Sequence, residues 1–182
     1  SFSAIQNNDK IGVIFFTDKI EKFIPPKKGK KHILFIIREL LNYEPENKGT
    51  DIGQALRFFT DAMKKRCTAF LMSDFITEQD FTKELSIASN RHDLIAVQVY
   101  DKRDAKLPDV GFMRVKDLET GKDRWIDTSS KNTRSTYDKW WYECQQKNQV
   151  ALNRFKIDLA SIPTDEDYVK VLMGLFKRRG VK

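Results

Sequence analysis

A chain of 182 residues with 40% hydrophobic and 12% aromatic side chains has enough apolar material for one domain with a substantial core, which excludes a disordered polymer. Its 33 Lys and Arg outnumber 26 Asp and Glu, for a formal charge of +7. No stretch approaches the roughly 20 apolar residues that span a bilayer, and residues 1–10 lack the basic start and apolar run of a signal peptide, so a cytoplasmic location and no membrane contact from these residues are expected.

Residues 11–17, Ile-Gly-Val-Ile-Phe-Phe-Thr, are a short continuous apolar run that predicts a strand covered on both faces. Asp18-Lys19 then makes a tight turn into the more alternating residues 20–24. Pro25-Pro26 close that segment, which reads as an antiparallel edge strand. Between about Lys30 and Asn42, Ile33, Ile37, Leu40 and Leu41 recur at helical spacing with Leu34 alongside. After a polar loop over residues 43–49, a second amphipathic helix is marked by Ile52, Ala55, Leu56, Phe59, Ala62 and Met63, running to Lys64-Lys65-Arg66. Residues 68–72 predict a buried strand stopping at Ser73-Asp74. Thr77 and Asp80 have the spacing of a capping pair for a helix using Phe81, Leu85 and Ala88. Residues 94–100 are the next strand.

The pattern changes after Asp101. Residues 112–116 and 124–127 flank Asp117-Leu118-Glu119-Thr120-Gly121-Lys122-Asp123, which predicts a hairpin insertion over about residues 108–128. A long helix from about Arg134 to Leu152 carries Tyr137, Trp141, Cys144 and Asn148 on one stripe, with Trp140 beside it, and the stripe reads as core. Residues 155–159 are the expected last strand; Pro163 and Thr164, with Asp167, open a final helix through Tyr168, Leu172, Leu175 and Phe176, ending at Gly180. Strands alternating with helices predict a single α/β domain whose mostly parallel central sheet has helices on both faces.

Two polar positions fall where open α/β sheets take ligands, outside the carboxyl ends of strands. They are Gly49-Thr50-Asp51 and Ser73-Asp74. A hydroxyl and a carboxylate from separate loops suit a hard cation such as Mg²⁺, although Thr50 is equally an N-cap and Asp74 equally a turn residue. Nothing marks an enzyme: there is no glycine-rich phosphate loop and no Gly-x-Ser-x-Gly elbow, and His32 and His92 read as structural or solvated. No catalytic and no cofactor-binding residues are assigned. Cys67 and Cys144 read as buried reduced thiols, and with only His32 and His92 to join them no zinc-ligand spacing occurs. The basic runs Lys27-Lys28-Gly29-Lys30-Lys31, Lys64-Lys65-Arg66 and Lys177-Arg178-Arg179 prompt an alternative reading as a nucleic-acid-binding domain, against which none is interleaved with aromatics.

The residues 8–18 (Asn-Asp-Lys-Ile-Gly-Val-Ile-Phe-Phe-Thr-Asp), 48–52 (Lys-Gly-Thr-Asp-Ile) with Ala55-Leu56, and 71–75 (Leu-Met-Ser-Asp-Phe) together resemble the later two thirds of a von Willebrand factor A domain. More narrowly they resemble the bacterial family catalogued as domain of unknown function 58, and residues 91–97, 107–111 and 117–121 resemble that family's C-terminal half. The resemblance implies a metal-ion-dependent adhesion site, in which three loops hold a divalent ion and leave one position for a partner's carboxylate. Thr50 matches the second loop and Asp74 the third. The first loop's Asp-x-Ser-x-Ser is nowhere in the sequence, so the resemblance implies an N-terminally truncated domain lacking its first, central strand. It implies Mg²⁺ (or Mn²⁺ or Ca²⁺) in the complete protein, with weak or no metal binding in this stretch. It further implies a protein partner, a MoxR-type AAA+ ATPase, in chaperone-like maturation or assembly. Strand exchange in a homodimer is one way to complete the sheet.

Overall fold

A computed structural model describes residues 7–77, 79–116 and 123–180. In chain order its elements are β1 (Ile11–Phe16), β2 (Ile20–Lys27), α1 (Lys30–Asn42), α2 (Ile52–Ala62), β3 (Thr68–Ser73), α3 (Thr82–Arg91), β4 (Asp93–Tyr100), α4 (Lys102–Ala105), β5 (Phe112–Lys116), β6 (Asp123–Asp127), α5 (Lys131–Arg154), β7 (Asp158–Pro163) and α6 (Tyr168–Gly180). β3, β4 and β7 form a parallel sheet in the order β3-β4-β7, while β1 pairs antiparallel with β2 and β5 with β6. This is the expected α/β architecture with a parallel centre.

The parallel sheet is packed on both faces because its strands alternate two apolar sets. Leu71, Leu94 and Ala96 face α2, α3 and α5, where Ile52, Leu56, Leu85, Ala88 and Leu152 close the larger core. Ile95, Val97, Ala160 and Ile162 point the other way, onto Leu175 of α6. At about 25 cal/mol per Å² of apolar surface removed from water, these two clusters are the main stabilising term. Arg179 adds a clamp at the start of β4 and β7, donating to Asp93 and Asp158 at 2.6–2.7 Å.

The two-stranded sheet of β1 and β2 is attached through α2. Phe16 and Phe59 pack on the larger core, and Phe23 meets Phe58 edge to face. Among the described residues β1 pairs only with β2, and β3 only with β4, so each leaves one edge without a ladder partner.

Several elements depart from expectation. β2 does not end at Pro25-Pro26 but continues through both to Lys27. A register shift at Gly12 accommodates them: a Cβ there would lie 2.7 Å from the Ile24 carbonyl oxygen and 2.9 Å from the Pro26 nitrogen. On α1 the buried positions are Ile33 and Ile36, whereas Leu34, Leu40 and Leu41 are exposed, because the helix covers only the small sheet. α2 stops at Ala62, before its predicted basic end. α5 is longer than predicted, opening at Lys131 behind an N-cap at Ser130, and its stripe is half-buried except for Asn148, which is buried. The last strand begins at Asp158, not Phe155: Phe155 caps α5 and Lys156 turns the chain with φ +56. Pro163 therefore closes β7 beside Tyr100 and does not open a helix; on an edge strand its missing N–H is tolerated. The hairpin strands form as predicted, while residues 117–122 of its turn, like residues 1–6, lie outside the described ones. No described helix is long and apolar enough to cross a membrane.

Candidate functional site at the carboxyl rim

The parallel sheet and the βαβ connections bring the loops after β1, before α2 and after β3 to one rim. The Asp51 N–H donates to the Thr17 carbonyl at 2.9 Å, tying the start of α2 to the end of β1. Gly49, with φ +97, gives the approach a left-handed turn open to glycine at little cost. The α2 N-cap is Asp51, whose Oδ1 accepts from the Gln54 N–H at 2.7 Å. Thr50 is thus not the cap, and its place at the rim needs another account.

Thr77 supplies the link between the two predicted positions. Its hydroxyl donates to the Thr50 carbonyl at 3.2 Å and accepts from the Gln79 N–H. Thr77 does not pair with Asp80 at a helix start. Asp80 alone accepts from the Thr82 hydroxyl at 2.5 Å and from the Thr82 N–H at 2.9 Å, and these hydrogen bonds hold its carboxyl below the usual carboxylate range. Gln79, with its amide nitrogen turned toward α2, donates to both Asp51 carboxylate oxygens at 3.1 and 3.2 Å. The loop after β3 is therefore laced to the loop carrying Thr50, and Asp74 sits three residues before the lacing threonine.

Asp74 itself is held from below. Gln98, buried in the middle of β4, donates to the Asp74 carbonyl at 3.0 Å and accepts from the Ser161 hydroxyl of β7 at 3.0 Å. Buried Asn148 of α5 donates to the next carbonyl, Phe75, at 3.0 Å. Phe75 adopts φ +58 with a buried side chain, a left-handed conformation that costs a non-glycine residue about 1 kcal/mol or more. Its N–H donates to Ser73 Oγ, and Asp74 Oδ1 accepts from the Ile76 N–H at 3.0 Å. Asp74 thus also performs the turn role open to it. A cavity of about 280 Å³ beside this loop is lined by Phe75, Thr77, Cys144, Lys147 and Asn148.

The Thr50 loop is fixed from the other side by Glu21 of β2. Its carboxylate accepts from the Thr17 hydroxyl at 2.8 Å, from Tyr43 OH at 3.0 Å, and from the Asn47 backbone and side-chain nitrogens at 3.0 and 2.9 Å. Those donors, Asn47 first, hold its pKa at about 2. Glu21, Thr77, Gln98 and Asn148 were not singled out as site residues from sequence. Only Gln98 had a signal: one amide inside the apolar run of residues 94–100 must find partners if it is buried.

Of the other candidates, Cys144 lines the cavity beside Phe75 and the two histidines lie elsewhere. His32 Nε2 is 2.9 Å from the Ile11 carbonyl oxygen, and His92 is buried against Phe59 with Nδ1 3.5 Å from Cys67 Sγ, both at the opposite end of the strands. Burial and the neighbouring Arg91 and Arg66 push the His92 pKa down, and burial pushes both thiols up. Cys67 and Cys144 are free and half-buried.

A parallel sheet flanked by helices, with buried polar anchors beneath one loop-built rim, defines an α/β domain. The chain belongs to the family described as Protein of unknown function DUF58, whose model matches residues 1–147. It is similar to an uncharacterized protein of Mycobacterium tuberculosis, 25% identical over 115 residues, which are 62% of this chain and 36% of that one. An uncharacterized protein of Mycobacterium avium is 27% identical over 100 residues, 54% of this chain and 59% of the other. The chain thus spans about a third of the M. tuberculosis relative's length. Among solved structures, the conserved hypothetical protein BatB from Bacteroides thetaiotaomicron superposes with a TM-score of 0.58 at 14% identity, over 100% of this chain and 85% of that one. An aerotolerance-related membrane protein from Bacteroides fragilis, carrying multiple mutations to serines, gives 0.55 at 16% identity over 93% and 80%. These likenesses establish the fold.

Proposed function

We propose that the chain is a non-catalytic protein–protein interaction module of the von Willebrand factor A kind. It works in the cytoplasm with a MoxR-type AAA+ ATPase in the chaperone-like maturation or assembly of other proteins. The observation that carries the reading is the lacing of the Thr50 loop to the Asp74 loop through Thr77 at the carboxyl rim. The partner class comes from the resemblance, and the rim is the surface the partner would meet.

In this reading a divalent cation bridges the contact. A threonine hydroxyl and an aspartate carboxylate are the hard oxygen donors that Mg²⁺ prefers, so they suit the ion in kind. They do not suit it in number: among the described residues no three or more His, Cys, Asp or Glu side chains gather to hold a metal. The ion would take its remaining ligands from water, from the partner's carboxylate and from residues outside this chain.

The test is magnesium-dependent pull-down of a MoxR-type ATPase with the full-length protein and its Asp74→Ala variant. Capture that requires Mg²⁺ and falls at least about tenfold in the variant, the loss of one charge-assisted contact, supports the bridge. Undiminished capture by Asp74→Ala rejects it, and a substrate turnover abolished by the same change would replace the interaction reading with an enzymatic one.

A further inference from the structure

The topology gathers much of this chain's positive charge at one end of its strands. α2, α3 and α6 all run away from the carboxyl rim, and they finish near Lys64-Lys65-Arg66, at Arg91 and at Lys177-Arg178-Arg179. α5 also ends there, at Arg154, followed by Lys156. Antiparallel β2 delivers Lys27 to the same end, opposite Ile11, and the turn into α1 adds Lys28, Lys30 and Lys31. Apart from half-buried Arg179, these side chains are exposed. Of the carboxylates at this end, Asp93 and Asp158 are occupied by Arg179, leaving Asp9 and Asp61. The rim is mixed: Asp18, Glu44, Glu46, Asp51, Asp74 and Asp80 stand in its loops beside Lys19, Lys48, Arg103, Lys106 and Lys131, and Lys102 is paired with Asp165 and Glu166.

Cations at helix C-termini complement the helix dipole and need no further account. The lysines around Gly29 have no such explanation. Lys30 and Lys31 open α1, where the dipole disfavours positive charge, and Lys27 and Lys28 belong to a strand end and a turn. A stretch that gathers four exposed lysines, two of them against the helix field, presents a dense positive patch to its surroundings.

We propose that the amino-terminal end of the sheet is an electrostatic docking face for an anionic lipid surface. The four positions around Gly29 are lysines, compact and strongly hydrated, which suit diffuse attraction to a charged plane better than bidentate phosphate recognition. The charges stand on the tips of elements from both sheets, a broad array and not a channel. The basic pocket of about 410 Å³ and the smaller cavity beside Phe75 both lie toward the other end. A single nucleic-acid strand would require a groove with free stacking faces, whereas exposed Phe35 stacks with His32 at 6.5 Å, and Phe70 and Phe176 engage each other edge to face at 6.2 Å. Docking this way departs from the expectation of no membrane contact, which rested on the lack of a spanning stretch. It turns the Thr50–Asp74 rim toward the aqueous phase, and it stands independently of the metal-bridged reading of that rim.

Co-sedimentation of the 182-residue chain with vesicles tests it. Binding is expected to equimolar phosphatidylcholine and phosphatidylglycerol, not to phosphatidylcholine alone, and is expected to vanish at about 0.5 M salt. Changing Lys27, Lys28, Lys30 and Lys31 together to Gln should weaken partition by roughly a thousandfold, at about 1 kcal/mol for each lysine. A rim variant with Lys83, Arg103, Lys106 and Lys131 changed to Gln should move it less than about twofold, screened by distance. Matching circular-dichroism melts confirm that both variants fold. Equal binding to neutral and anionic vesicles, no binding to either, or equal loss in the two variants overturns the proposal. So does displacement from anionic vesicles by an equimolar single-stranded oligonucleotide, which would make the face a nucleic-acid site.

Discussion

All six residues of β1 are only half-buried, while β4 buries Leu94 through Gln98 in succession. The difference follows from neighbours. β4 has a strand on each side and helices over both faces; β1 has one strand partner and shares α2 with the larger core. Stability is therefore concentrated in the parallel sheet. The small sheet contributes the Thr17 carbonyl and Glu21 to the rim, and is joined to the larger core through Phe16, the Phe23–Phe58 contact and the Asp51–Thr17 hydrogen bond. Half the candidate site stands on the stable region and half on the dependent one.

The sharpest way to break that comparison is to remove equivalent apolar volume from each region. Leu85 of α3 is fully buried in the larger core, so Leu85→Ala should cost about 3 kcal/mol. Ile14→Ala in half-buried β1, which removes the same number of carbons, should cost about 1 kcal/mol. Urea denaturation of the two variants measures both. Equal losses would show that the small sheet is as much a part of the core as β4.

The polar anchors come next. Asn148→Ala leaves the buried Phe75 carbonyl without its donor and should cost about 2 kcal/mol. It should also release the left-handed Phe75, so hydrogen exchange at the Phe75 and Ile76 amides, both bonded within the loop, should quicken relative to β4. A variant destabilised by this amount with unchanged exchange in that loop would make Asn148 a packing residue and not a support of Asp74.

How much of this was legible follows the same division. The period of the apolar residues revealed the strands of the parallel sheet and the helices over it, because two-sided burial imposes long apolar runs on the chain. Thr50 and Asp74 were found as loop residues at strand ends, and they do fall at one rim. The lacing was not readable, since Thr77, Gln79 and Glu21 act through side chains whose partners lie 20 or more residues away. Local spacing misled at Thr77 and Asp80, which fit a capping pattern while Thr77 is drawn instead to Thr50. It misled again at Leu40 and Leu41, whose helical spacing carries no information about how wide a sheet the helix has to cover. The last strand was misplaced because Phe155 and Ile157 look like strand residues, when both pack on the larger core around the end of α5.

Acid should separate the two regions a second time, through a different group in each. Burial holds the His92 pKa below its unfolded value of 6.5, so the folded state binds fewer protons than the unfolded one just below that pH. Its contribution is whole above about 6.5 and declines as pH falls toward the folded value, loosening the contact of His92 with Phe59 and Cys67 beneath the parallel sheet. Glu21 has a folded pKa of about 2 against 4.5 when unfolded, so its contribution persists to lower pH and is lost between about 4.5 and 2. Site-resolved exchange at the amides of Asn47, bonded to Glu21, and Asp93, beside His92, should therefore show two acid transitions at separate pH. Glu21→Gln should abolish the lower one and His92→Leu the upper one. The two transitions moving together in either variant would mean that the small sheet and the parallel sheet open as one unit, and that the rim has no separable halves.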